Sequence, residues 1–99
     1  MERTEMEKKL VLAIVQDQDA GRVVDALVAS SFSATRINTH GGFLKRGNAT
    51  ILVGVDSADV DQVIEVIDEN CQARTSPDGE VKVSAGTVFV LGVADFQRL

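Results

Sequence analysis

The chain has 99 residues, of which 44 % are apolar and 25 % are charged, and its net charge at pH 7 is −5. These values are typical of one folded domain, and they exclude both a disordered chain and two separate hydrophobic cores. The negative charge disfavours nonspecific binding to DNA, RNA or an anionic membrane. A small anionic ligand in a local basic pocket remains compatible with this charge.

The single cysteine and the N-terminal residues indicate the cellular compartment of the protein. Cys71 has no second cysteine to pair with, so an intrachain disulfide is excluded and we expect a cytoplasmic protein. The longest apolar run, Leu10–Val15, is too short to cross a bilayer. Residues 1–8 are mostly charged, and we expect a flexible N-terminal segment there, with Met1 or Met6 as the start, followed by one domain over residues 9–99.

The first half of the chain predicts a strand, a helix and two further strands. Lys9–Gln16 is an apolar run typical of a strand, and Asp17-Gln18-Asp19 offers turn and N-cap chemistry. A helix is predicted over Ala20–Ser31, with an apolar face made of Val23, Val24, Leu27 and Val28. Ser33–Thr39 and Ala49–Val55 predict strands on either side of a glycine-rich loop.

The second half repeats this order and adds a hairpin. Asp56 and Ser57 can cap a helix over Ala58–Asn70, whose apolar positions follow helical spacing: Val60, Val63, Ile64, Ile67 and Cys71. Arg74–Ser76 and Glu80–Ser84 predict two short strands joined by a type I turn over Ser76–Gly79. Thr87–Val90 predicts the last strand.

A shift of forty residues superimposes the two halves, with Leu12 on Leu52, Val23 on Val63 and Leu27 on Ile67. The predicted fold is therefore α+β: a ferredoxin-like βαββαβ sandwich with an antiparallel sheet, both helices on one face, and a small extra hairpin.

The predicted strands are apolar on both faces, although two helices cover only one face of a sheet. In the first strand, Leu10, Leu12 and Ile14 alternate with Val11, Ala13 and Val15. Exposing a whole aliphatic face would cost about 25 cal/mol per Å² of apolar surface. We therefore expect a cyclic homo-oligomer whose open sheet faces pack together, with ligand sites in clefts between subunits.

The loop Gly41–Asn48 carries side chains suited to a nucleotide. Adjacent glycines allow backbone N–H groups to turn toward a ligand, Phe43 offers a flat apolar face, and Lys45 and Arg46 attract anions. The Asn48 amide matches the edge of an adenine base. The residues alone leave two interpretations open, a nucleotide site and a mobile connector between strands.

No catalytic or metal-binding pattern is present in the sequence. The loop lacks the glycine–lysine spacing of a P-loop, and His40 has no Ser, Cys or Asp partner in clear register. An acylphosphatase-type enzyme would need a phosphate loop after the first strand, where Asp17 and Asp19 would repel phosphate. Metal-ligand spacing is also missing. We therefore expect no catalytic residue, no metal and no cofactor.

Several segments together resemble the PII-like cyclic di-AMP receptor family. They are Leu12–Asp19, Phe32, Ala34-Thr35, Gly41–Leu44, Gly47-Asn48, Gly54-Val55 and Gly86–Leu91. The resemblance extends from about Lys9 to Phe96. It implies a signalling protein, not an enzyme, that forms a PII-like homotrimer and holds one cyclic di-AMP in each cleft between subunits. Binding would rearrange loops that signal to a downstream protein.

The resemblance also assigns roles to residues of this sequence. Thr35 would contact the ligand from the second strand, and Gly42, Phe43 and Leu44 would wrap an adenine, with Phe43 stacking on the base. Asn48 would hydrogen-bond a base or a phosphate. Gly54 would leave room for close approach of the ligand.

The sequence departs from the family pattern at three places. Ser33 stands where a phosphate-directed arginine is expected, so Arg36, Lys45 or Arg46 would have to compensate. Arg98 stands near the position of an expected ligand-binding glutamine, and the loop over residues 73–86 is short. Two alternatives therefore stay open: a PII-like sensor of ATP or AMP, and a small phosphate-ester enzyme.

Overall fold

The computed structural model describes residues 7–37, 47–71, 74–75, 82–83, 86–95 and 97. The elements in chain order are β1 (Lys8–Gln16), α1 (Asp17–Ala29), β2 (Ala34–Ile37), β3 (Asn48–Asp56), a 3-10 turn (Ser57–Asp59), α2 (Val60–Glu69), β4 (Arg74–Thr75), β5 (Lys82–Val83) and β6 (Gly86–Gly92). The predicted order of strands and helices is confirmed. So is the extra hairpin, because β4 and β5 pair antiparallel; its predicted turn, Ser76–Gly79, lies outside the described residues.

The four long strands form one antiparallel sheet in the order β2-β3-β1-β6. This is the ferredoxin-like order, in which β3 lies between β1 and β2, and β1 lies between β3 and β6. Both helices pack on the same face of the sheet. The buried core there includes Val11 and Val53 from the strands, Val23 and Leu27 from α1, and Val63 from α2.

The forty-residue repeat is visible in the sheet register. Leu12 and Leu52, which the repeat equates, lie directly opposite each other in the β1–β3 ladder. Val23 of α1 and Val63 of α2, the corresponding helix positions, are both fully buried. The two halves are therefore related by an approximate two-fold axis through the centre of the sheet.

The predicted turn before α1 is wrong. Helix α1 begins at Asp17, immediately after β1, because Gln16 serves as its N-cap with an extended backbone (ψ 142°). Asp19 lies inside the first turn and is 1 % exposed, whereas a turn residue would face solvent. Val28, placed on the apolar face by the sequence, is 57 % exposed, so the buried stripe of α1 is narrower than predicted.

Helix α2 begins with the 3-10 turn, and neither predicted cap residue acts through its side chain. The Asp56 carboxylate instead accepts a hydrogen bond from Lys8 Nζ at 2.6 Å, across the β1–β3 pair. Backbone pairing of Lys8 with Asp56 begins β1 one residue before its predicted start. In the part of the chain that the structure describes, no helix is long and apolar enough to span a membrane.

Candidate functional site

The sheet has one face covered by helices and one face that no described helix covers. We call the second the open face. Its residues alternate with the core residues along each strand: Thr35, Ile37, Asn48, Thr50, Leu52, Gly54, Leu10, Leu12, Ile14, Thr87, Phe89 and Leu91. Phe89 is 51 % exposed and Leu91 is 46 % exposed. The prediction that the strands are apolar on both faces is confirmed for β1 and β6, whereas on β3 the open face carries Leu52 between the polar or small residues Asn48, Thr50 and Gly54.

Three of the predicted site residues lie on the open face: Thr35, Asn48 and Gly54. Thr35 of β2 is opposite Leu52 of β3, and Gly54 is two residues further along β3 on the same side. A Cβ atom added to Gly54 would meet nothing within 4 Å. There is thus free space beside Gly54 for close approach of another molecule.

Asn48 and Gly54 lie at opposite ends of β3. They are six residues apart on an extended strand, a separation of roughly 20 Å. Asn48 is opposite Gln16, where α1 begins, whereas Gly54 is opposite Leu10. One protomer therefore does not bring these two residues to the same point of a compact ligand.

Arg36 lies on the opposite side of the sheet from Thr35. It faces the helices because its register partner is Ile51, a fully buried core residue. Its Nη2 atom lies 3.5 Å from Asp17 Oδ1, and both side chains are partly exposed. The alternation of side chains along β2 thus separates Arg36 from the open face.

The other predicted site residues, Gly42, Phe43, Leu44, Lys45, Arg46 and Arg98, lie outside the described residues, as does His40. The end of the glycine-rich loop is described. Gly47 has φ +88°, a left-handed value that favours glycine, and its carbonyl accepts a hydrogen bond from the Asp17 N–H at 2.7 Å. The loop therefore rejoins the sheet at the N-terminus of α1.

A hydrogen-bond network that the sequence did not predict lies near the N-terminus of α1. Arg22 Nη2 donates to Asp19 Oδ1 at 2.7 Å, and Arg22 Nε donates to the Asn70 carbonyl at 3.1 Å. Asn70 is the C-cap of α2, so one side chain joins the start of α1 to the end of α2. The only signal in the sequence is the i, i+3 spacing of Asp19 and Arg22, which is common on solvated helices.

The chemistry of Cys71 fits a structural residue. Burial raises the pKa of its thiol above the ordinary value, and the nearby Asp19 and Asp68 carboxylates raise it further, opposed by Arg22. A raised pKa keeps the thiol protonated near neutral pH, which makes it a poor nucleophile. Among the described residues, no group of His, Cys, Asp and Glu side chains is arranged to hold a metal ion.

Comparisons with known proteins agree with one another. A family model described as "cyclic-di-AMP receptor" matches residues 8–79. A functionally unknown protein from Pediococcus pentosaceus ATCC 25745 is 39 % identical, with a TM-score of 0.77 over 95 % of this chain and 99 % of its own. Arabidopsis thaliana PII bound to citrate is 24 % identical, with a TM-score of 0.65 over 96 % of this chain and 82 % of its own. At that identity, the second likeness concerns the fold alone.

Proposed function

This chain belongs to the cyclic-di-AMP receptor family and has a PII-like fold, and on that basis we propose that it binds cyclic di-AMP in clefts between the subunits of a homotrimer. Binding is relayed by loop rearrangement to a downstream protein. The protein is then a bacterial, cytoplasmic signal-transduction protein, not an enzyme, and its partners exclude nucleic-acid polymers and membranes. Every residue that a subunit contributes to the site belongs to its single domain over residues 9–99.

The observation that carries this proposal is the open face. Leu10, Leu12, Leu52 and Phe89 form a contiguous apolar surface that monomers rarely leave in water. In a closed ring, each copy of the chain covers the open face of its neighbours. This removes the apolar surface from solvent and leaves no interface unpaired. The family match spans the strands of this face that carry Thr35 and Gly54.

The separation of Asn48 from Gly54 also supports a site between subunits. A cleft between neighbours can combine the loop end of one subunit, where Asn48 and Gly47 lie, with the distant end of another subunit's β3. Each subunit then contributes a different part of its sheet to one ligand, and three equivalent clefts follow from three-fold symmetry.

Phe43 stacks on an adenine in this proposal, while Gly42 and Leu44 offer backbone hydrogen bonds. Stacking of a base on an aromatic ring is worth about 1–3 kcal/mol. Lys45 and Arg46 bind the phosphates in this proposal, and Arg98 near the C-terminus is a further candidate. Arg36 is a weaker candidate because it lies on the helix-covered side of β2 next to Asp17.

The second candidate function is a PII-like sensor of ATP or AMP that has lost cyclic di-AMP binding. Ser33 favours it, because this exposed residue immediately before β2 brings no charge to the phosphates. The lost contact is worth about 1.5–3 kcal/mol if no other cation replaces it. A phosphate-ester enzyme is less well supported, since the described residues offer no paired acid and base.

Isothermal titration calorimetry with cyclic di-AMP, ATP, AMP and cyclic di-GMP distinguishes these functions. We expect heat with cyclic di-AMP and a stoichiometry of one ligand per subunit. Heat with ATP or AMP and none with cyclic di-AMP would establish the alternative sensor. Light scattering on the same sample tests the assembly, because a stable species near 10.6 kDa would be a monomer and would overturn the trimer.

Replacing Phe43 tests the adenine contact. We expect Phe43→Ala to weaken cyclic di-AMP binding at least about tenfold, because one stacking interaction is lost. Phe43→Trp retains an aromatic face and should bind within a few-fold of the natural protein. Both variants should keep the oligomeric mass in light scattering. An unchanged dissociation constant for Phe43→Ala would mean that the loop is only a connector.

A further inference from the structure

A concave surface lies on the helix-covered side of the sheet, away from the open face. It is a cavity of about 410 Å³ between α2 and strands β1 and β6. Strand β6 is an edge strand, so one side of this cavity opens beyond the sheet. We call it the α2–β6 groove. Neither the family match nor the nucleotide site gives it a role.

The floor of the groove is apolar. Val15 and Ile67 are almost fully buried, and Ile64 and Val88 are half-buried. Val90 continues this surface along β6, since it lies on the same side as Val88 and is 44 % exposed. The apolar strip from Val88 to Val90 is what a partner's apolar side chains would cover.

The rim of the groove is acidic. Asp61, Glu65 and Asp68 project from α2 at positions i, i+4 and i+7, which places them in one stripe. All three are exposed, and none forms an ion pair with another described residue. Among the residues that the structure describes, no lysine, arginine or histidine lines the groove.

The charge of this rim reaches into the groove. Cys71 also lines the cavity; burial raises the pKa of its thiol, the Asp19 and Asp68 carboxylates raise it further, and Arg22 opposes them. The same field repels phosphates, so a nucleotide is not a suitable occupant. A ligand that matches both surfaces needs apolar side chains for the floor and cations for the rim.

We propose that the α2–β6 groove binds a basic amphipathic segment of a partner protein. Its apolar side chains enter the floor at Ile64 and Val88, and its lysines or arginines face Asp61, Glu65 and Asp68. The rim spans eight residues of α2, from Asp61 to Asp68, roughly 10 Å, which corresponds to two turns of a bound helix. Helices commonly bind grooves in this way, with an apolar face inward and charges at the rim.

A synthetic peptide of about fourteen residues, with leucines on one helical face and lysines on the other, serves as the probe. Its affinity is measured by calorimetry. Its position is measured from the alkylation rate of Cys71 by iodoacetamide, since this is the only cysteine in the protein. We expect the peptide to bind and to slow alkylation of Cys71 about fivefold or more, as expected when a bound helix covers the groove.

Two charge-matched variants test the location. Glu65→Lys reverses a charge on the rim, and Asp25→Lys makes the same change on the exposed side of α1. We expect about tenfold weaker peptide binding for Glu65→Lys and less than about twofold for Asp25→Lys, because a rim charge acts at close range. Cyclic di-AMP titrations should be the same for both variants.

Several results would overturn the proposal. Equal weakening by the two variants would mean that only the net charge attracts the peptide. Equal binding of a peptide with scrambled leucines and lysines would remove the role of the apolar floor. Binding without protection of Cys71 would place the peptide elsewhere. Equal protection by spermidine alone would make the groove a site for small organic cations.

Discussion

Ser31 adopts φ 71°, a left-handed conformation that is strained for residues other than glycine. It follows the C-cap Ser30 of α1, where the Phe32 N–H bonds to the Leu27 carbonyl and the Ser31 N–H bonds to the Val28 carbonyl. This pair of hydrogen bonds is a Schellman motif, in which glycine is preferred at the position of Ser31.

We therefore expect Ser31→Gly to stabilise the protein. The left-handed conformation costs a side-chain-bearing residue about 1–2 kcal/mol, and glycine loses about 0.5–1 kcal/mol more backbone entropy, so the net gain is about 0.5–1 kcal/mol. Urea unfolding measures it. Ser30→Gly is the matched control, because Ser30 has φ −91° and should gain nothing. Equal effects of the two substitutions would contradict this explanation.

Gly86 is the first residue of β6 and is paired with Val15 of β1. A Cβ atom at this position would lie 2.8 Å from the Ile14 carbonyl oxygen, which belongs to the backbone and cannot move aside easily. At Gly92, at the other end of the same strand, an added Cβ meets nothing within 4 Å.

Gly86→Ala should destabilise the protein by about 1–3 kcal/mol, as overpacking does, because β6 must shift away from β1. Gly92→Ala should change the free energy of unfolding by less than about 0.5 kcal/mol, as surface substitutions usually do. Denaturant titration of both variants gives the comparison. If the two variants unfold at the same urea concentration, close packing at Gly86 is not what requires a glycine there.

At the scale of elements, Arg22 links the two helices. Its partner Asp19 is 1 % exposed, so loss of the cation leaves a buried carboxylate without this contact. Arg22 is itself 45 % exposed, which reduces the effect relative to a fully buried pair. We expect Arg22→Met to destabilise the protein by about 1–3 kcal/mol, measured by chemical denaturation.

Arg36→Met is the control for this prediction. The pair of Arg36 and Asp17 is longer, at 3.5 Å, and its side chains are 36 % and 51 % exposed. Surface pairs of this kind contribute about 0–1 kcal/mol. If Arg36→Met destabilised the protein as much as Arg22→Met, the burial of Asp19 would not be the cause.

At the scale of the whole molecule, a substitution on the open face tests whether subunits assemble through it. Phe89→Glu places a charge on this face at a residue that is 51 % exposed in the protomer, so the protomer should still fold. If this face is covered by other subunits, burying the new carboxylate is unfavourable and the oligomer should dissociate. Light scattering should then show a mass near 10.6 kDa.

Val28→Glu makes the same kind of change on α1, away from the open face, at a residue that is 57 % exposed. It should leave the mass of the oligomer unchanged, and circular dichroism should show both variants folded. An intact oligomer in Phe89→Glu would mean that subunits do not meet through Phe89.

Much of the fold could be predicted from the sequence because its signals are local. The continuous apolar run Leu10–Val15 is typical of a strand buried on both faces, and the spacing of Val63 and Ile67 follows the period of a helix. Three local predictions failed, and one of them is the side-chain capping of α2 by Asp56 and Ser57. Asp19 was predicted in a turn, and Val28 on a buried face, because neither residue's environment is set by its neighbours in sequence.

The candidate site could be predicted only in part. The family resemblance proposed Thr35, Asn48 and Gly54 as ligand contacts, and Arg36 was proposed as a cation that compensates for Ser33. The register of β2 and β3 places Arg36 on the opposite side of the sheet from Thr35. Asn48 and Gly54 lie at opposite ends of β3. Which side chains share a surface depends on strand pairing, and the composition of a loop does not contain that information.

The sequence by itself determined the class of fold and the family, because apolar periodicity and short motifs are properties of neighbouring residues. The tertiary structure alone decided which apolar face is left open, that Arg22 joins the ends of the two helices, and that an acidic rim meets an apolar floor between α2 and β6. These features bring together residues such as Arg22 and Asn70, 48 positions apart. Contacts over such distances are made by the packing of helices on the sheet, which no local pattern specifies.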